Sequence, residues 1–330
     1  MKFGLWQRIS LQSSKGRGRS FIGHTNRTNI RRAIIRQPGV VSVNVTQSAS
    51  VGLTPEQLRH SLDRDVKIVF RDVLAAVGLE GYASVAGETR VDSETENPSL
   101  DEQAAEIWRD WYDLQQTGRY RDIISRSKEH SAELGSQYGS ILIRAVNEGG
   151  YSDPKGFLRK LPSDELDAIR QIQRLVDPID VTSLSEEGAL NLLIPPVAQV
   201  DLNRDGLTQS GVAFGIRFPD SRTPLPVAEA WEAATADLSW SEKAFHELQM
   251  KLPVLLANIH TNPDGTFSHQ VEPGDPEFVN PMADENYSYT DAVQNQLDYL
   301  DAFRDQIDPL RYLRDHAFWT KFKAALLPDT

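Results

Sequence analysis

The sequence predicts an all-α protein, with at most one short strand or hairpin near residues 211–218. Capping boxes support this, because a Ser or Thr is followed three residues later by Glu or Gln at four places, namely Thr54, Ser99, Ser183 and Ser239. Apolar residues then recur at spacings of three and four, which is the helical period. The chain has 330 residues, 39% of them hydrophobic, enough for a sizeable core.

The first helix is predicted to begin after Thr54, with Pro55 at its first position, and to end at Gly78. Its apolar face carries Leu58, Leu62, Val66, Val69, Val73 and Val77. Residues 87–99 contain a single apolar residue and are predicted to form a linker. The predicted organisation is a flexible basic arm (1–53), an amphipathic helix region (54–86), this linker and a main helical domain (100–330).

Several breaks are predicted in the main domain. Gly135 is a possible break in a helical region at 120–147, and Pro253 should kink or end the helix that begins after Ser239. Residues 197–226 are predicted to be irregular, and residues 261–289 to form a long loop. That loop begins with a turn at 262–265.

The charge is distributed unevenly along the chain. Residues 1–55 hold nine Lys or Arg and no Asp or Glu, whereas the remaining residues hold 26 basic and 47 acidic side chains. The acidic body should repel phosphate, so we expect no nucleic-acid binding by it. The basic arm is compatible with docking to nucleic acid or to an anionic membrane, with a transit peptide, or with a simple disordered tail.

Composition also excludes some classes of site. The chain has no Cys, so disulfides, thiolate metal sites and a cysteine nucleophile are impossible. No stretch approaches the roughly 20 apolar residues that span a bilayer. We recognise no secretory signal and expect a cytoplasmic protein.

A short loop has the spacing of a calcium site. Asp201, Asn203 and Asp205 occupy positions 1, 3 and 5, and Gly206 occupies position 6. The remaining candidate ligands are the carbonyl of Leu207 and the side chain of Gln209. A distant carboxylate could complete the set, and Glu186, Glu187 and Asp220 are the candidates. The alternative is a tight turn in which Asp201 or Asn203 bonds its own backbone.

These six residues, 201–206, resemble the start of the calcium loops of EF-hands and dockerins. The resemblance implies a Ca²⁺ ion held by oxygen ligands. Position 12, where an EF-hand has a bidentate acid, is Val212, so the resemblance does not extend to a whole EF-hand.

A second motif reads Glu148-Gly149-Gly150-Tyr151. It resembles a segment of a phage-type muramidase family, and the resemblance implies that Glu148 would be the catalytic acid of a peptidoglycan hydrolase. The alternative is a helix that ends at a left-handed glycine.

Three functions therefore stay open. The leading one is a non-enzymatic structural or interaction protein with one structural calcium ion and an unknown protein partner. The second is a peptidoglycan hydrolase that uses Glu148. The third is docking through the basic arm.

Overall fold

The computed structural model describes residues 54–89, 98–116 and 128–326, all within one compact unit, Ser48–Thr330. The predicted basic arm and most of the predicted linker lie outside the described residues. Ten α-helices and two small hairpins make up the described chain, so the all-α prediction is confirmed. Its buried apolar side chains form two clusters. The first cluster spans Val66–Val200 and the second Phe218–Phe322.

The first cluster is built by helices from the first part of the chain. They are α1 (Pro55–Ala75), α2 (Leu100–Gln115), α3 (Lys128–Asn147), α4 (Pro154–Leu158), α5 (Ser163–Ile172) and α6 (Glu186–Leu192). The predicted capping boxes at Thr54 and Ser99 are present. Helix α2 packs against both α1 and α3, and Trp108 of α2 contacts the ring of Tyr138 of α3 at 4.7 Å between centroids.

The second cluster is built by the later helices. They are α7 (Leu225–Thr235), α8 (Trp240–Ala257), α9 (Tyr289–Ala302) and α10 (Pro309–Leu326). The capping box at Ser239 is present. Trp231 of α7 is fully buried at the centre of this cluster, against the rings of Phe218, Phe318 and Phe322.

Each hairpin joins two antiparallel strands. Strands β1 (Thr208–Ser210) and β2 (Ala213–Gly215) form the first, slightly earlier in the chain than the predicted 211–218. Strands β3 (Ile259–Thr261) and β4 (Phe267–Gln270) form the second, so part of the predicted long loop is ordered as a hairpin. The predicted turn at 262–265 connects β3 to β4, and Gly265 has a φ of 82°.

The local predictions at Gly135 and Ser183 were wrong, and Pro253 does not end its helix. Helix α3 continues through Gly135, because this glycine lets Tyr112 of α2 pack against the helix backbone. Helix α8 continues past Pro253 to Ala257. Helix α6 is capped by Ser185 instead of Ser183, because Ser183 donates its hydroxyl to the Asp180 carbonyl in the preceding turn.

Among the described helices, none is long and apolar enough to cross a membrane.

Candidate metal centre

Helix α6 positions the predicted calcium loop through two side chains one turn apart. Glu187 accepts hydrogen bonds from the backbone N–H groups of Leu202 (3.0 Å), Asn203 (3.2 Å) and Gln209 (2.6 Å). Asn191 accepts from the N–H of Val200 (2.9 Å), and its amide donates to the carbonyls of Val200 and Gln209, both at 2.7 Å. Both side chains are buried. One face of one helix therefore holds both ends of the loop.

Within the loop, side chains bond the backbone two residues further on. The Asn203 Oδ1 accepts from the N–H of Asp205 (2.9 Å), and the Asp205 Oδ1 accepts from the N–H of Leu207 (2.8 Å). Gly206 has a φ of 84°, and a Cβ there would lie 2.9 Å from the Asn280 side chain. The loop therefore needs glycine at this position, for both its backbone conformation and the space available.

The two carboxylate oxygens of Asp201 differ in their surroundings. Oδ2 accepts from the N–H of Gly206 at 2.8 Å, across the loop. Oδ1 is buried and has no hydrogen-bond partner, and the residue as a whole is only 1% exposed. A buried carboxylate oxygen without a donor is costly, because desolvation is not compensated. The loop thus contains one strong ligand atom that the described chain leaves unused.

A buried lysine lies on the other side of the loop. Lys251 of α8 is 0% exposed, donates to the carbonyl of Gly206 (2.9 Å) and forms an ion pair with Asp220. Asp220 in turn accepts from the N–H of Arg222 (2.9 Å) and the hydroxyl of Thr223 (2.9 Å). The Lys251 ammonium is therefore bound to Asp220 and the loop backbone.

The buried charges around the loop do not balance. Three buried carboxylates, Glu187, Asp201 and Asp220, face one buried ammonium, Lys251. Desolvation raises the pKa of Glu187 to about 7 and that of Asp201 to about 6, and the neighbouring carboxylate of Asp205 adds to both shifts. These buried carboxylates therefore favour taking up protons near neutral pH.

Among the five predicted ligand residues, Asn203 and Asp205 contact each other, since the Asn203 amide donates to Oδ2 of Asp205 at 3.0 Å, and Asp201 contacts Gly206. Gln209 lies in β1, and its side-chain oxygen accepts from the hydroxyl of Ser185 at 2.5 Å. Leu207 is buried directly after the loop, and its N–H is bound by Asp205.

The three distant carboxylates are engaged elsewhere. Both oxygens of Glu187 bind backbone N–H groups, Asp220 is paired with Lys251, and Glu186 forms an ion pair with Lys155 at 3.2 Å. In the described residues, no group of three or more His, Asp or Glu side chains is arranged to hold a metal ion. A calcium ion in this loop would therefore need amide and main-chain oxygens beside the carboxylates of Asp201 and Asp205.

Sequence reasoning did not find Lys251. This residue lies within helix α8 and has no local motif around it. Its contact with Gly206 joins residues 45 positions apart, so only the packing of α8 reveals it.

The Glu-Gly-Gly-Tyr motif forms the end of helix α3. Gly149 is left-handed with a φ of 73°, and the N–H of Gly150 donates to the carbonyl of Ala145 at 2.7 Å, as in a Schellman-type helix end. Glu148 is 52% exposed and lies 3.7 Å from Arg144. Tyr151 is buried, and its hydroxyl donates to the carbonyl of Leu193. The aromatic ring therefore belongs to the core, and nothing described here favours an acid-catalyst role for Glu148.

Comparisons of the chain with protein-family models, with curated proteins and with solved structures gave no match.

Proposed function

We propose that this is a structural or interaction protein in which one calcium ion, bound by the loop at residues 201–209, stabilises the segment between the two hydrophobic clusters. The single observation that carries the proposal is the buried, unpartnered Oδ1 of Asp201. Carboxylate oxygens are the ligands that calcium prefers, and in a loop of this spacing the side-chain oxygens of Asn203 and Asp205 would join it around the same ion.

The charge of the site also favours a divalent cation. Three buried carboxylates and one buried ammonium leave two negative charges without a buried partner. A Ca²⁺ ion would balance them, whereas the metal-free protein must take up protons or keep uncompensated charge in a low-dielectric site.

The contacts of the loop define what calcium would stabilise. Glu187 attaches the loop to the first cluster, and Lys251 attaches it to helix α8, whose Met250 belongs to the second cluster. Asn280 adds a third contact by donating to the carbonyl of Arg204 at 3.0 Å. Fixing the loop would therefore fix both clusters, which is a structural role that needs no turnover.

The test is a thermal melt of chelator-stripped protein at pH 8, where Glu187 and Asp201 are ionised, with and without millimolar calcium. A site filled at about 100 times its dissociation constant adds roughly 2.7 kcal/mol to the free energy of unfolding. That should raise the midpoint by about 5 to 10 °C in a domain of this size. The variant Asp201→Asn should lose this shift, because it removes the ligand charge while keeping the shape.

The matched control is Asp264→Asn. Asp264 also lies in an Asx-type turn before a glycine, but it is exposed and bonds the N–H and hydroxyl of Thr266. This variant should keep the calcium shift. Magnesium should give a smaller shift, because it demands a tighter octahedral set of ligands. Equal melting curves for the parent with and without calcium would sink the proposal and leave the loop as a turn held by Glu187 and Lys251.

A further inference from the structure

A cavity of about 350 Å³ lies beside helices α1, α7 and α8, and none of its lining residues belongs to the loop at 201–209. Its volume is in the range of sites that take small molecules. Ring and aliphatic side chains form one part of the wall, including Phe218, Trp231 and Val85. Charged side chains from α1, α8 and the segment after β2 form the other part.

Three Lys or Arg side chains besides Arg64 line this cavity, namely Lys67, Arg217 and Lys243. Within the described chain, none of them forms a salt bridge. Arg64 in the same wall is different, because Glu88 binds its guanidinium through two hydrogen bonds of 2.6 Å. The cavity thus presents three cations that lack an ion-pair partner.

Lys67 and Arg217 are both hydrogen-bond donors, and each lies against one neighbouring side chain. The Lys67 ammonium lies 4.7 Å from the ring centroid of Tyr82, and Arg217 donates to the amide oxygen of Gln199 at 2.9 Å. Burial lowers the pKa of Lys67, the charges of Asp63 and Glu232 act in the opposite direction, and the charge of Arg217 acts with burial. Two cations that repel each other in a partly desolvated site gain from an added anion.

Trp231 belongs to the apolar part of the wall. It is fully buried, it lines the cavity, and its indole N–H has no hydrogen-bond partner among the described residues. A buried indole N–H usually finds an acceptor.

Carboxylates also line the cavity, but within the described residues none of them forms an ion pair with Lys67, Arg217 or Lys243. Asp63 accepts from the indole N–H of Trp111 at 2.6 Å, and burial raises its pKa. Burial likewise raises the pKa of Glu247. Glu229 and Glu232 lie on the exposed face of helix α7.

We propose that this cavity binds a small molecule that carries an anionic oxygen group, a carboxylate or a phosphate, on an apolar or aromatic body. The anionic group would lie between Lys67 and Arg217, with Lys243 as a third cation. The body would contact Phe218 and Trp231. This site is independent of calcium, since none of its residues belongs to the loop at 201–209.

The experiment measures the melting midpoint of the full chain at constant ionic strength with four millimolar probes. Benzoate and phenylphosphate have the anionic group and the ring, inorganic phosphate has only the anion, and benzylamine has the ring with a positive charge. We expect at least one of the two aromatic anions to raise the midpoint by about 2 to 4 °C at ten times its dissociation constant. Which of the two acts more strongly distinguishes a carboxylate ligand from a phosphate ligand. Benzylamine should give no shift.

The variants Lys67→Met and Arg217→Gln remove one cation each and should weaken the stabilising probe at least roughly tenfold, since each removes a charge-assisted hydrogen bond. Lys160→Met is the matched control, because it makes the same change at an exposed lysine outside the cavity. Two variants are used so that a folding defect in one, detected by circular dichroism, does not prevent the test. The proposal is overturned if no aromatic anion stabilises the parent, if benzylamine does so equally well, or if the folded variants respond like the parent.

Discussion

At the scale of single residues, two buried groups define the loop at 201–209. Asp201 keeps one carboxylate oxygen without a partner, whereas Lys251 has found partners in Asp220 and the carbonyl of Gly206. The first is a buried anionic oxygen without a donor, and the second is a buried cation with two acceptors. Both are almost fully buried, so each contributes strongly to the electrostatics of the loop.

The variant Lys251→Met tests how much the free energy of unfolding falls when one member of the buried Lys251–Asp220 ion pair is removed. Removing the ammonium leaves the Asp220 carboxylate buried beside Asp201, so we expect a loss of about 3 to 5 kcal/mol in the free energy of unfolding. Urea denaturation measures this loss. The double variant Lys251→Met/Asp220→Asn should recover part of it, because no unpaired charge remains. A loss below about 1 kcal/mol in the single variant would mean that water reaches Asp220.

At the scale of elements, the contact between helices α2 and α3 depends on Gly135, a possible break by sequence that lies within the continuous helix α3. The indole N–H of Trp108 donates to the carbonyl of Gly135 at 2.8 Å, and Tyr112 packs directly on the same residue. A Cβ at Gly135 would lie 2.4 Å from Cε1 of Tyr112. The glycine therefore permits close helix packing and does not end the helix.

The variant Gly135→Ala should lower the free energy of unfolding by about 1 to 3 kcal/mol, the usual cost of overpacking. This cost should exceed the gain in helix propensity, which is about 1 kcal/mol. Gly139→Ala is the matched control one turn away, where a Cβ would lie 3.2 Å from Cδ1 of Trp108. Chemical denaturation should show the control close to the parent. Equal stability of both variants would contradict the packing role.

The capping boxes show which helix starts can be predicted from the sequence. Those at Thr54, Ser99 and Ser239 were predicted and are present, since each is made by residues three positions apart. The box predicted at Ser183 was wrong, because the hydroxyl bonds backward to Asp180 and the cap falls on Ser185. Local hydrogen bonds can be predicted only where no competing local partner exists.

At the scale of the whole molecule, buried polar side chains connect helices as well as the loop. His246 of α8 is 1% exposed and stacks on Phe318 of α10, with ring centroids 3.7 Å apart. Burial lowers its pKa from the usual 6.5, Arg314 acts in the same direction, and Gln249, Asp315 and Glu242 act in the opposite direction. The folded protein therefore favours the neutral imidazole.

This predicts a pH dependence of global stability. The unfolded chain binds a proton at His246 near pH 6.5, whereas the folded chain does so only at lower pH. The contribution of His246 to the free energy of unfolding is therefore fully present above pH 6.5 and is lost as the pH falls toward the lowered pKa. The loss is at most about 1.4 kcal/mol per pH unit.

The measurement compares the parent with His246→Gln by urea unfolding at several pH values between about 7.5 and 5.5, a range in which histidine titrates. The comparison with the variant is needed because Glu187 and Asp201 have raised pKa values. In the metal-free protein they make the free energy of unfolding rise as the pH falls, which is opposite to the effect of His246. The parent should lose stability relative to the variant as the pH falls. A constant difference would show that His246 titrates normally in the folded state.

Sequence alone determined the helical class, most helix starts and the turn at residues 201–206. These depend on contacts within a few residues, such as the bonds from Asn203 to Asp205 and from Asp205 to Leu207. Tertiary packing was needed to bury Asp201 without a partner for Oδ1, to bring Lys251 to Gly206, and to gather Lys67 and Arg217 around one cavity. The burial of a side chain and its distance from other charges depend on contacts between residues far apart in the chain. No local sequence pattern predicts such contacts.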